Sequence, residues 1–148
     1  IDWARADAAL VEFVARLAAL RRAHPVLRQK RFLHSRPRAA DGLPDAIWRR
    51  SDGGVPTAAD WHDPGFRCIG LELRMAAEGA DARDALFLVF NGGAAQSLTL
   101  PDTAKGWKLL LDTTRPLLSF EAHGRVLDRA FGEAEVALAL GDGSDDGM

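Results

Sequence analysis

Pro25 divides this 148-residue chain into two kinds of sequence. Before it, Leu10, Phe13, Val14, Leu17 and Leu20 recur at spacings of three and four, which places them on one stripe of a helix. Alanines fill much of the rest and favour helix at little entropic cost. Asp2 or Asp7 is placed to cap or charge the first turn, and Arg21 and Arg22 complement the dipole at the last. His24 precedes the proline, and that position is pushed away from helical dihedrals. The pattern therefore predicts one amphipathic helix over residues 4–23.

After Pro25 the period changes. Short apolar segments at 31–34, 46–50, 68–75, 85–91, 97–100, 107–112, 125–128 and 135–140 alternate with turn residues. In the fourth, Leu86, Leu88 and Phe90 point one way and Phe87 and Val89 the other; in the last, Val136, Leu138 and Leu140 share a face. Turn chemistry separates the segments at Asp41-Gly42, Asp52-Gly53-Gly54, Asp63-Pro64-Gly65, Asn91-Gly92-Gly93, Pro101-Asp102 and His123-Gly124. With no strand–helix–strand alternation and no internal repeat, this predicts a mainly β chain, an antiparallel β-sandwich. Residues 141–148 are Gly, Asp and Ser with one Met, and read as a flexible tail.

Composition excludes several classes. A net charge of −2 supplies no global field toward nucleic acid or membrane. No apolar run approaches the roughly 20 residues of a membrane span and no leader pattern is present; the expected location is the cytoplasm. The single cysteine, Cys68, cannot form an internal disulfide and reads as a small buried hydrophobe. The first residue is isoleucine rather than methionine, which points to a piece of a longer protein.

No motif for catalysis stands out. Between Glu12 and Asp41 every charged residue is basic: Arg16, Arg21, Arg22, Arg28, Lys30, Arg31, Arg36 and Arg38. Without a recognised nucleic-acid fold or interleaved aromatics, this stretch reads as a solvated surface or one facing an acidic neighbour. The histidines His24, His34, His62 and His123 have no metal-ligand spacing, and no metal or other cofactor is expected. Asp60, Asp63, Glu72 and Asp112 are acids without a context that pairs them as a glycosidase requires, at about 5 to 5.5 Å for a retaining enzyme.

Four tryptophans and no tyrosine raise the idea of sugar stacking, since aromatic rings pack against flat apolar surfaces. Trp48 and Trp107 fall in predicted strands and are expected in the core. Trp61 follows Asp60 in a turn-rich loop; it is expected to plug the sandwich edge while Asp60 caps nearby amides, and it is also a candidate sugar contact.

An ordered series of words runs through the chain. Leu20-Arg21-Arg22-Ala23-His24-Pro25-Val26-Leu27-Arg28 is followed by Arg31-Phe32-Leu33, Asp45-Ala46-Ile47-Trp48, Asp52-Gly53 and Asp60-Trp61-His62-Asp63-Pro64. Cys68-Ile69-Gly70-Leu71-Glu72-Leu73 closes the strongest block, and Leu88-Val89-Phe90-Asn91, Leu100-Pro101 and Trp107 to Thr113 follow more loosely. In this order and with these gaps, the chain resembles the C-terminal region of isoamylase-type glycogen debranching enzymes of glycoside hydrolase family 13.

The resemblance implies a catalytic (β/α)8 barrel upstream and an all-β C-terminal domain here. Residues 1–25 would be the last barrel loop and helix, 26–140 the C-terminal sandwich and 141–148 the tail. The parent would hydrolyse α-1,6-glucosidic branch points in glycogen by a retaining mechanism, using an aspartate nucleophile, a glutamate acid/base and a second aspartate. None of these three has a counterpart in this chain, which is expected to be inactive alone and to stabilise the barrel. Trp3 lies where barrel loops approach substrate and is the first candidate sugar contact, ahead of Trp61. The expected partners are branched α-glucan through the parent, the missing barrel, and a second copy of the chain through an exposed helix face, with no nucleic acid and no membrane. Two alternatives are a glucan-binding module and an interaction domain that uses the basic stretch.

Overall fold

The computed structural model describes residues 5–75, 84–101, 107–113, 130–131 and 135–141. Trp3, His123, the expected strand at 125–128 and the tail beyond residue 141 lie outside them. The described elements are helix α1 (Ala8–Ala23), a 3-10 turn (Pro25–Arg28), and strands β1 (Ala46–Arg49), β2 (Cys68–Met75), β3 (Asp84–Asn91), β4 (Gln96–Ser97), β5 (Trp107–Asp112), β6 (Ala130–Phe131) and β7 (Glu135–Gly141). A second helix, α2 (Ala58–His62), lies between β1 and β2.

The chain is mainly β and antiparallel, as its period-two segments predict. Five strands form one sheet in the order β1-β2-β3-β7-β5, and β4 and β6 form a separate two-stranded ladder. β2 and β3 pair over their full lengths, from Cys68 opposite Asn91 to Met75 opposite Asp84. This register carries the alternation of β3 directly into packing. Phe87 and Val89 join Cys68, Leu98 and Trp107 in one buried cluster, while Leu86 joins Val26, Ala46, Leu73 and Leu111 in the other. The two clusters lie on opposite faces of the sheet.

β5 serves both faces because its register with β7 shifts between Leu109 and Leu111. Without that irregularity Leu109 and Leu111 would point the same way. With it, Leu109 packs on the Phe87 cluster, and Leu110 and Leu111 pack on the Leu86 cluster. Trp107 is buried as expected, and its indole N–H donates to the Pro101 carbonyl at 2.6 Å.

Helix α1 starts at Ala8, four residues later than the pattern predicted, because Asp7 caps it by accepting from the amides of Ala9 and Leu10. It ends at His24, as the following proline requires. Phe13, Leu17 and Leu20 pack against the Leu86 cluster, whereas Leu10 and Val14 are 57% and 53% exposed. The sheet thus covers only the C-terminal part of the stripe.

Three local expectations are corrected. Residues 31–34 form no strand: the backbone there pairs with no ladder, and Phe32 is 95% exposed. The loop around Trp61 contains the short helix α2. Trp48 is not a core residue, because it is 39% exposed. It shares the face of Ala46 and Leu73 but sits further along the edge strand β1 and is not part of the Leu86 cluster.

Candidate functional site

Among the described residues, the buried acids Glu72, Asp84 and Asp45 are each engaged with named partners. Glu72 is fully buried and lies diagonal to Arg49 across the β1–β2 pair, since Ile47 faces Glu72 and Arg49 faces Gly70. Arg49 donates to Glu72 Oε2 through Nε at 3.1 Å and Nη2 at 2.8 Å, and Arg74 Nε donates to the other oxygen. Asp84 opens β3 and reaches the end of α1: its Oδ1 lies 3.2 Å from His24 Nδ1, and its Oδ2 accepts the Val26 amide at 3.1 Å. Asp45 accepts the amides of His34 at 3.2 Å and Ser35 at 2.9 Å. That second bond holds Ser35 in the left-handed region, at φ 54°, which non-glycine residues seldom occupy. These carboxylates fasten loops and strands together. Of the three, only Asp45 lines the open cavity beside the basic stretch, and neither Glu72 nor Asp84 stands opposite it as a glycosidic pair requires.

The remaining chemistry is polar capture and aromatic contact. An open cavity of about 760 Å³ is lined by Arg28, Lys30, Arg31, Phe32, His34 and Arg38 from the basic stretch, with Asp45 and Met75 also on its wall. Arg38 is committed there to Asp41 through two bonds, at 3.0 and 2.5 Å, and to the Arg74 carbonyl at 2.6 Å. His34 Nδ1 lies 3.2 Å from Asp45.

The second feature is an aromatic corner. Trp61 stands perpendicular to both Trp48 and Phe66, with ring centroids 5.9 and 5.8 Å away and interplanar angles of 89°. Edge-to-face packing of this kind is favoured by the ring quadrupoles. Trp61 is nevertheless 53% exposed.

Local sequence builds this corner. Thr57 and Asp60 form a capping box: the Asp60 carboxylate accepts the Thr57 amide at 2.6 Å and the Thr57 hydroxyl at 2.8 Å, and Thr57 Oγ1 accepts the Asp60 amide at 3.3 Å. Next to it, Asp52 accepts the Gly54 amide at 2.9 Å and the Arg50 guanidinium at 2.7 Å. Gly53 supplies the φ of 84° that this turn needs. Arg50 Nη1 reaches within 3.6 Å of Asp60 and so links the turn to α2.

These contacts set the charges. The Thr57 backbone and hydroxyl donors, then Arg50, hold the Asp60 carboxyl below its ordinary range. The Gly54 amide, then Arg50, does the same to Asp52, and bonding to Asp52 raises the Arg50 guanidinium. All three are ionised at neutral pH. Burial pushes the Cys68 thiol up, so it is no thiolate nucleophile at neutral pH.

Among the described residues, no three of His, Cys, Asp and Glu gather as a metal site, and no helix is long and apolar enough to cross a membrane. The structure brings Trp61 to Trp48 and Phe66; Trp3 lies outside the described residues. Sequence reasoning missed Trp48 as an exposed aromatic and Phe66 as its half-buried neighbour in the corner. The available signal was the Thr57-x-x-Asp60 spacing, which marks a helix start and places Trp61 on that helix.

Comparison with known proteins gives a consistent answer. The family model for the C-terminal region of isoamylase matches residues 45–122, just over half of the chain. Proteins described as glycogen operon protein GlgX homologs, from Mycobacterium bovis and from Mycobacterium tuberculosis, are 32% identical over 130 residues. The match covers 79% of this chain and 18% of theirs, so the chain spans less than a fifth of the length of these relatives. The matched residues include the sheet strands β1, β2, β3 and β5 and the whole aromatic corner. The chain belongs to the isoamylase C-terminal family.

Proposed function

We propose that the chain is the C-terminal, non-catalytic part of a glycogen debranching enzyme that hydrolyses α-1,6-glucosidic branch linkages, and that it stabilises the catalytic barrel. In this reading residues 1–25 are the last barrel loop and helix, 26–140 the C-terminal β domain and 141–148 its tail. Trp3, on the barrel loop, contacts substrate in the parent enzyme.

The observation that carries the reading is the divided stripe of α1. Phe13, Leu17 and Leu20 pack on the sheet, while Leu10, Val11 and Val14 stay more than half exposed. A helix apolar on more than its sheet-facing side has a second surface to cover. Each such side chain, once buried, contributes about 1.5–3 kcal/mol. The engagement of Glu72, Asp84 and Asp45 in structural bonds supports inactivity of the chain by itself. In the isolated chain, the same helix face is available to a second copy.

The test uses Leu10→Glu with Val14→Glu. In the 148-residue chain the pair replaces exposed side chains and leaves the monomer's unfolding free energy within about 0.5 kcal/mol of the original. In the full-length enzyme it lowers the melting temperature of the barrel and the release of reducing ends from limit dextrin. An unchanged full-length enzyme, or hydrolysis of the dextrin by the 148-residue chain alone, overturns the reading.

A further inference from the structure

We propose that the aromatic corner formed by Trp48, Trp61 and Phe66 is a binding site for an α-glucan chain. Three observations carry this. First, the corner is preorganised. Trp61 is fixed at right angles to two rings, and the helix that bears it is fastened by the Thr57–Asp60 capping box and by Arg50. A rigid ring loses little entropy on binding, which is why such side chains make effective contacts.

Second, the indole donors are open. The buried Trp107 gives its N–H to the Pro101 carbonyl, whereas neither Trp48 nor Trp61 has an acceptor among the described residues. A tryptophan with one apolar face and one unsatisfied donor suits a ligand that offers both C–H faces and hydroxyl oxygens. A pyranose offers both.

Third, the rim is charged. The ionised carboxylates of Asp52 and Asp60 accept hydrogen bonds, and Arg50 donates them. Sugar hydroxyls do both. An apolar protein partner would instead leave these charges desolvated, at considerable cost. Trp48, Trp61 and Phe66 are not among the residues of the cluster that α1 packs against, so occupation of the helix stripe does not require the corner. The choice of an α-linked glucose polymer, rather than another saccharide, rests on the debranching reading.

The experiment is calorimetric titration of the 148-residue chain with maltoheptaose, together with retardation in gels containing glycogen. Saturable binding in the millimolar range or tighter is expected, accompanied by a shift in indole emission. Trp61→Ala should weaken binding by about ten-fold or more, and Trp61→Phe by less. Circular dichroism and the unfolding midpoint show that each variant is folded. Phe32→Ala, which removes the most exposed aromatic elsewhere, should leave the affinity unchanged.

Absence of binding by the unmodified chain, equal affinity in a folded Trp61→Ala, or equal affinity for a β-1,4-linked glucose oligomer each overturns the proposal. None of those outcomes bears on barrel support, which the Leu10 and Val14 substitutions test.

Discussion

Gly70→Ala is the smallest change that should damage this fold measurably. A Cβ at position 70 would stand 2.3 Å from Cζ and 2.7 Å from Cε2 of Phe87, distances that atoms in van der Waals contact never reach. The Phe87 ring is fully buried, packed in a cluster with Cys68, Val89, Leu98 and Trp107, and it tilts against Trp107 at 5.9 Å. The ring cannot swing into solvent, so relief must come from an off-rotamer Phe87 or a displaced β2. Overpacking of this kind costs about 1–3 kcal/mol. For a chain of this size that lowers the melting temperature by about 3–10 °C. Thermal unfolding followed by circular dichroism reads the effect. The decisive comparison is the double variant Gly70→Ala with Phe87→Leu. Shrinking the ring makes room for the methyl group, so the pair should lose clearly less than the sum of the two single losses. A neutral Gly70→Ala, or strict additivity with Phe87→Leu, would refute the idea that the glycine exists to admit the ring.

Two further outcomes follow from the charges. Glu72→Ala strands Arg49 and Arg74 around an empty buried position and should cost about 3–5 kcal/mol in urea unfolding. Replacing all three residues by apolar side chains of similar size should recover most of that loss, and an equally unstable triple variant would contradict the assignment. Asp60 is held below its ordinary value of 3.8, so its capping contribution is present above that pH and is lost as pH falls through the depressed folded value. The indole emission of Trp61 should therefore change only in strong acid, and Asp60→Asn should abolish the change; an identical acid transition in Asp60→Asn would show that another group drives it.

The extent of the fold visible in the sequence depended on where each element takes its stability. β2 was legible to the residue because its alternation spans eight positions, each matched by a residue of β3. Helix α1 was legible because its stripe and its proline stop are local. The segment 31–34 looked like a strand from Phe32 and Leu33 alone, but a strand exists only with a partner, and none runs beside it. α2 is five residues long, too short for periodicity to register; only its capping pair announced it. The exposure of Trp48 follows from the edge position of β1, which no local pattern encodes. The candidate corner was half legible for the same reason. Trp61 could be named from its neighbours, but the perpendicular rings around it meet across sequence gaps that only the folded sheet closes.

The order of the sheet has a consequence for how the protein is made. Among the described strands β5 joins the five-stranded sheet through β7, and β7 inserts between β5 and β3, which is complete some forty residues earlier. During synthesis, β1, β2 and β3 can assemble as soon as they emerge. The free edge of β3 must then wait, with its amides and carbonyls unpaired, for the strand Glu135–Gly141. Until that strand arrives, the nascent sheet is an open template for pairing with other chains. A translation stop between β5 and β7 would therefore remove the keystone of the sheet while leaving most of its strands in place, and the cell would meet an adhesive half-sheet in place of a shortened domain.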